Sequence, residues 1–346
     1  MAWSQAHAKL HTLLRSQILL PKDSHVLMAV SGGQDSLCMA RLLIDLQPHW
    51  NWTLGLIHCD HRWRDDSEAN ADHVLGLAAD WKIPAWCVAA DFDIDSEAAA
   101  RAWRYETFAT VAREHGYRYL VCGHTMSDRA ETVLYNLIRG SGLDGIATLP
   151  WQRPIDDQSP TVSLTRPLLT FSRQDTADVC HQQSLPVWED TTNQSLAFRR
   201  NRIRQELLPY LREHFNPQVE RSLAQTLEMT AADVAYLNEQ SASIYRRVIS
   251  YECDRPAIDS EISVRQTGVW KIDQKALSCE SLSMQRRVVK QLLQEILVRS
   301  PSFQHVDKVV GLLRASQGTQ CDPLPGGYLA RVCKPFVLIS SGEEMQ

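Results

Sequence analysis

The chain has 346 residues, 44% of them hydrophobic, which is long for one domain and leaves apolar mass for two cores. No apolar run approaches the roughly 18 residues that span a bilayer, and the start MAWSQAHAKLHTLLRS lacks a signal peptide's uninterrupted apolar stretch, so a soluble cytoplasmic protein with no membrane partner is expected. The formal charge of −5 hides an asymmetry: Ser281 to Lys334 carries eight basic and three acidic residues, a net of +5 that leaves −10 for the rest, a pattern that suits a polyanionic partner as well as an ordinary solvated surface.

In chain order, HVLMAV (25–30), TLGLIHCD (53–60), AWCVAAD (85–91) and YLVCGH (119–124) read as buried strands, short and apolar between polar or turn residues. Helical spacing fills the gaps near 36–46, 67–81, 96–115 and 127–139, and Gly140 suits a helix C-terminus. This alternation predicts an α/β domain with a doubly wound, mainly parallel sheet, in which ligands bind beyond the carboxyl ends of the strands. The polar clusters SGGQDS (31–36), HCDHRWR (58–64) and GHTMSDRAET (123–132) all fall at such ends. After Asn216 the texture changes to a long amphipathic helix with apolar residues at 219, 223, 227, 234 and 237, then a helix over 282–298 and a strand-like C-terminus after Gly326-Gly327. The expected organisation is a catalytic domain over 1–215 and a smaller, mainly helical domain with a short C-terminal β segment over 216–346. Nine cysteines, none closer than Cys321 and Cys333, supply no CxxC pair and argue against zinc ribbons, thioredoxin-type couples and iron–sulfur ligation.

SGGQDS sets a turn of small residues between a strand and a helix, where backbone N–H groups and the helix N-terminus favour an anion. It carries neither the lysine of GxxxxGK[ST] nor the spacing of GxGxxG. In place of that lysine stands Asp35, which would repel a phosphate unless Mg²⁺ lay between them. A simple tight turn capped by Asp35 or Ser36 is the bland alternative.

The loop resembles the SGGxDS signature of the PP-loop, or N-type, ATP pyrophosphatases, which cleave ATP between its α- and β-phosphates and activate a substrate as an adenylate. HCDHRWRDDS, EAAARAWRYETF (97–108) and GHTMSDRAETVLYNLIRGSGLDGI (123–146) are similar to further motifs of that family, and RPLL (166–169) with WEDTTNQSLAFRRNRIRQELLPYL (188–211) looks like the block found in tRNA(Ile)-lysidine synthases. The resemblance covers about 25–215. It departs from the family's commonest form at His124-Thr125 and Ser127-Asp128, where two histidines and two aspartates are usual.

The resemblance implies a C–N bond-forming ligase that uses ATP and Mg²⁺. ATP would adenylate the carbonyl oxygen on carbon 2 of the wobble cytidine in an isoleucine tRNA with a CAU anticodon, and L-lysine would then displace AMP. On this reading Ser31, Gly32, Gly33, Gln34, Asp35 and Ser36 hold the phosphates with Asp35 on the metal, while His58 and His61 lie where adenine docks and His124 orients a phosphate. Arg104 touches a phosphate, and Asp128 and Glu131, three apart on one helical face, receive the lysine ammonium. The same two acids otherwise serve as dipole-complementing helix charges in a capping-box-like pair. Arg199, Arg200, Arg202 and Arg204 contact tRNA or ATP, and Arg286, Arg287 and Lys290 grip the tRNA from the second domain. A homodimer is the expected assembly. The rival readings are a tRNA 2-thiocytidine-type sulfur transferase and a non-catalytic ATP sensor.

Overall fold

The computed structural model describes residues 3–63, 66–92, 96–156, 161–189, 196, 199–252 and 268–341. The DTTN stretch (190–193) of the resemblance lies outside them. Two compact units emerge, Met1–Ala231 and Ala232–Gln346.

The first unit runs α1 (Gln5–Ser16), β1 (His25–Ala29), α2 (Gln34–Trp50), β2 (Thr53–Asp60), α3 (Ser67–Asp80), β3 (Ala85–Ala89), α4 (Glu97–Glu114), β4 (Tyr119–Cys122), α5 (Met126–Ile138), α6 (Leu143–Ile146), β5 (Gln152–Pro154), β6 (Ser163–Thr165), α7 (Arg173–Gln182) and α8 (Arg199–Arg202). A π-helical turn, Ile203–Leu207, leads into α9 (Leu208–His214) and then α10 (Val219–Val248). The sheet order is β3-β2-β1-β4-β6-β5, parallel throughout except where β5 pairs antiparallel with β6. The four expected strands and helices all form, and Gly140 adopts φ 74° just past α5.

Alternating residues of β1 face opposite cores. Val26 and Met28 pack with α1, α2, α3 and α7, whereas Leu27 packs with Phe108, Ala109 and Ala112 of α4. Every polar cluster named above therefore reaches one edge of the sheet, with α2 and α4 on opposite faces. The division between units falls inside α10 rather than at the expected 215/216 boundary. Val219 and Leu223 pack with Ala130, Ile203 and Leu208, and Glu228 binds Arg129 and Trp151 at 2.9 and 2.6 Å, which ties the start of α10 to the first unit.

The second unit continues with β7 (Ile249–Glu252), β8 (Val269–Asp273), α11 (Gln274–Ser278), α12 (Leu282–Ile296), α13 (Phe303–Leu312), β9 (Tyr328–Cys333) and β10 (Phe336–Ser341). Alongside these helices stands a four-stranded antiparallel sheet, β7-β8-β10-β9, more extensive than the single C-terminal β segment expected. Its inward residues Ile272, Val332, Val337 and Ile339 share a core with Val288, Val289, Leu292 and Leu293 of α12.

Candidate active site

The SGGQDS turn leaves the helix behind it open. Serines cap the starts of α1, α4, α7, α12 and α13 with their side chains, but no side chain caps α2, whose N-cap is Gly33. Its first amide groups are thus left for an incoming anion. The two glycines serve different purposes. Gly32 sits at φ 85°, and a Cβ there would come within 2.5 Å of Asn70 Oδ1. At Gly33 a Cβ would meet only Ser31 Oγ, at 3.5 Å, so the space before it is open. Ser31 and Ser36 brace the turn: the Ser31 amide donates to Ser36 Oγ at 3.1 Å, and Ser36 Oγ donates to Gly33 O at 2.9 Å. Gln34 turns its amide away to α7, donating to Arg173 O and Thr176 Oγ1, both at 2.8 Å, so only its backbone faces the turn. Gly123, beyond β4, lets this loop close in, because a Cβ there would lie 2.9 Å from Asp35 O.

Asp35 accepts from Thr176 Oγ1 at 2.5 Å, and Arg173 Nη2 stands 3.8 Å from its other oxygen. Burial pushes its carboxyl above the ordinary range, and Asp128 adds to this while Thr176 and Arg173 pull the other way. Glu131 is 2% exposed. Arg204, carried on the π-helical turn, grips it with two bonds, Nε to Oε1 at 2.6 Å and Nη2 to Oε2 at 2.9 Å, and reaches Asp128 at 3.7 Å. Burial raises the Glu131 carboxyl and Arg204 opposes the rise. Asp128 closes a capping box by accepting from the amide and hydroxyl of Thr125 at 2.8 and 2.9 Å. The two acids of α5 thus bond to different residues, Asp128 to Thr125 and Glu131 to Arg204, with the Arg204 guanidinium near both. Burial alone would raise Asp128, yet His124 and the two Thr125 bonds hold it below the carboxylate range.

Burial lowers the pKa of all three candidate histidines. His58 is buried and meets Val30 O at 2.8 Å, a clamp between the ends of β2 and β1, and burial lowers its pKa. His61 packs edge-on to Trp103 and beside Trp63, and burial, followed by Arg104, lowers it to about 4. His124 is lowered by burial against the pull of Asp128, and its Nδ1 is buried without a hydrogen-bond partner.

Residues 3–211 match the family model for the PP-loop domain. The whole chain is similar to the tRNA(Ile)-lysidine synthase of a Nostoc species, 46% identical over 99% of each chain, and to that of a Synechocystis species, 46% identical over 97% of this chain and 98% of the relative. The chain belongs to the tRNA(Ile)-lysidine synthase family. A chloroplastic tRNA(Ile)-lysidine synthase from Zygnema circumcarinatum is 35% identical over 87% of this chain and 78% of its own. Among solved structures, the U34-tRNA thiolase NcsA from Methanococcus maripaludis shares the fold at TM-score 0.56 and 17% identity, over 66% of this chain and 78% of that one.

Within this lysidine synthase fold the basic residues separate. Arg199 and Arg202 are exposed, the latter paired with Glu206 at 3.0 Å, and Arg200 lies 3.5 Å from Thr132 Oγ1. Arg204, expected from its charge run to contact RNA or ATP, bonds to Glu131 from the π-helical turn. Arg104 on α4 lies beside His61 and 5.9 Å from the Tyr105 ring. Arg286 binds Asp307 at 2.8 Å, and Arg287 donates to Asn238 Oδ1 at 2.6 Å on the same unit. Sequence reasoning passed over Thr176, Arg173 and Gly123, which the fold brings to Asp35 from α7 and from the end of β4. Their only advance signal was the position of Gly123 at a strand end. Among the described residues no helix is long and apolar enough to cross a membrane, and none of the cysteines is in a disulfide.

Proposed function

We propose that this enzyme joins L-lysine to carbon 2 of the wobble cytidine of an isoleucine tRNA with a CAU anticodon, in two steps of which the first consumes ATP. The observation that carries the reading is the end-to-end 46% identity to a tRNA(Ile)-lysidine synthase, combined with a charged cluster in which Asp35, Asp128 and Glu131 surround Arg204 and Arg173.

First the cytidine O2 attacks the α-phosphorus of ATP, the O–P bond forms and pyrophosphate leaves. The uncapped start of α2, with Gly32 and Gly33 clearing the backbone, binds the β- and γ-phosphates. Arg104 and Arg173 add positive charge where the leaving group develops its own. Asp35 fits a Mg²⁺ ion. One of its oxygens faces only a guanidinium at 3.8 Å, and Mg²⁺ is ordinarily held by one or two carboxylates plus substrate phosphates. The cation would supply neutralisation of the departing pyrophosphate. Among the described residues no group of three ligating side chains forms a closed metal cage, so phosphate oxygens would complete its shell.

In the second step the ε-amine of lysine attacks carbon 2, AMP leaves with the former O2, and one proton departs from the nitrogen. An ammonium with an ordinary pKa near 10.4 must shed a proton first. Asp128, held ionised, attracts it. Glu131, raised by burial, lies on the same helical face as the proton acceptor, with Arg204 fixing its rotamer. His124 stands at the end of β4, where its unpartnered Nδ1 is left to bond to a substrate group. Arg199, Arg200 and Arg202, with Arg286, Arg287 and Lys290, bind tRNA phosphates. The cytoplasm, where tRNA is modified, is the site of action, and a homodimer is the proposed assembly.

The test is incubation of the purified protein with ATP, Mg²⁺, radiolabelled lysine and the isoleucine tRNA. Label should enter the tRNA with stoichiometric release of AMP and pyrophosphate. Sulfur transfer without lysine incorporation, or ATP binding without turnover, would overturn it.

A further inference from the structure

Three guanidinium groups surround one tyrosine on the α4 face of the sheet. The central carbons of Arg101, Arg104 and Arg153 lie 4.9, 5.9 and 5.3 Å from the ring centroid of Tyr105. Two come from α4 and the third from β5, a strand brought round to this side by its antiparallel pairing with β6. A fourth guanidinium, Arg166 just after β6, is 1% exposed, donates from Nη1 to Pro150 O at 2.8 Å and leaves its Nε without a partner. The Tyr105 hydroxyl, close to Arg166, is buried without a hydrogen bond of good geometry.

Elsewhere in this unit arginines find carboxylates: Arg113 pairs with Asp156, Arg129 with Glu228, Arg202 with Glu206 and Arg204 with Glu131. Around Tyr105, among the described residues, Arg101, Arg104, Arg153 and Arg166 have no acidic partner within ion-pair distance, and neither has Arg200, which lies 3.5 Å from Thr132 Oγ1. A ring has two faces, so three guanidinium groups cannot all be satisfied by cation–π contact. Burial, and then the neighbouring Arg104, Arg200 and Arg153, press Arg101 below its ordinary range while Tyr105 pulls the other way. A cluster of unneutralised planar forks is poor for stability and well suited to phosphate oxygens, which guanidinium groups bind bidentately.

The position selects the source of the phosphate. The nucleotide turn opens at the start of α2, on the face that packs α1, α3 and α7, whereas Tyr105 and Arg101 belong to α4 on the opposite face, and Arg153 joins them from β5. Tyr105 packs against the core that holds Cys122, the last residue of β4, so an anion held by the arginines round it stands near the end of that strand. A polynucleotide whose base is adenylated at that edge needs a second anion site, separate from the one that holds ATP. We propose that Arg101 and Arg153, gathered round Tyr105, together with Arg200 beside Thr132, bind backbone phosphates of the tRNA anticodon loop next to the cytidine that is modified. This deepens the functional reading above and rests on tRNA being the substrate.

Binding of the isoleucine tRNA and of its anticodon stem–loop, measured over a salt series, tests the site in Arg101→Gln, Arg153→Gln, the double variant and the charge-keeping Arg153→Lys, with ATP binding measured on the same preparations. The double variant should bind RNA roughly ten- to hundred-fold more weakly. The log–log salt slope should fall by about one to two, with ATP affinity within about two-fold and Arg153→Lys retaining the wild-type slope. RNA affinity and slope unchanged in folded variants would make the cluster structural and overturn the proposal, as would a loss of ATP affinity with RNA binding intact, which would give the site to pyrophosphate. Should the double variant fail to fold by circular dichroism, Arg153→Gln alone, at a part-exposed position, is read by the same criteria. Failure of the wild-type protein to bind any tRNA removes both the inference and the functional reading, whereas wild-type binding that the variants share removes the inference alone.

Discussion

Arg204 meets Glu131 with both edges of its donor fork, Nε to Oε1 at 2.6 Å and Nη2 to Oε2 at 2.9 Å, although the two are 73 positions apart in the chain. The Glu131 side chain is 3% exposed, so Arg204→Ala strands a buried carboxylate, a change that typically costs about 3–5 kcal/mol. The sign follows from burial. A carboxyl whose folded pKa lies above its unfolded value loses stability as pH rises from the unfolded to the folded pKa, and removal of Arg204 widens that gap. The melting-temperature deficit of Arg204→Ala should be largest at neutral pH and narrow by pH 4. A deficit independent of pH would mean that Glu131 is not the group being stranded.

Asp35 combines a functional role with a stability cost. Its pKa is raised chiefly by burial, so the ionised form is disfavoured in the folded protein, a penalty absent below the unfolded pKa near 3.9 and complete above the folded one. Asp35→Asn keeps an acceptor for Thr176 and removes the charge. Calorimetry should show a higher Tm than wild type at pH 7 and none of that gain at pH 3. Pyrophosphate release should fall about a hundred-fold or more, with tRNA affinity within about three-fold. A collapse of tRNA binding would refute the assignment of Asp35 to the nucleotide and its cation.

Gly32 and Gly33 should fail in different ways when each becomes alanine. At Gly32 the backbone has φ 85° and the new Cβ would press on Asn70 Oδ1, so Gly32→Ala should lose about 1–2 kcal/mol or more of stability together with ATP binding. At Gly33 the backbone is extended and the space empty of protein. Gly33→Ala should therefore keep its Tm within about one degree of wild type, since surface changes without strain move stability little, while weakening ATP at least ten-fold. Equal ATP affinity in wild type and Gly33→Ala would place the phosphates elsewhere.

Much of the first unit was legible because its strands are short apolar runs cut off by polar clusters, and a parallel sheet gathers those clusters at one edge whatever the details of packing. The Gly32-Gly33 turn, the acids of α5 and Gly140 could all be read from local chemistry. What could not be read were relations across long stretches of chain. RRNRIR suggested tRNA or ATP for Arg204 and gave no sign of its partner Glu131, which it meets from the π-helical turn. Thr176 reaches Asp35 from 141 residues away, with nothing in α7 to announce it. Arg153 on β5 joins Arg101 and Arg104 of α4 round Tyr105 only through the fold. In the second unit, β7 continues from α10 with no breaker between them, so no turn signal marked the first strand of the antiparallel sheet.

The basic surplus of the second unit gives the last prediction. Arg286 binds Asp307 and lies 5.0 Å over the Phe303 ring, and Arg287 reaches Asn238. The Arg286–Asp307 side chains are 38% and 47% exposed, so the pair is worth at most about 1 kcal/mol, and water-exposed phosphate oxygens can compete for the Arg286 fork. Arg286→Ala with Arg287→Ala should therefore leave Tm within a few degrees of wild type yet weaken tRNA binding, lowering its log–log salt slope by about two if each contacts one phosphate. Pyrophosphate release at saturating tRNA should persist, because neither residue lies in the unit that carries the nucleotide turn. A salt slope identical to wild type would assign α12 to the packing of its own unit and leave the surplus of charge there as solvated surface.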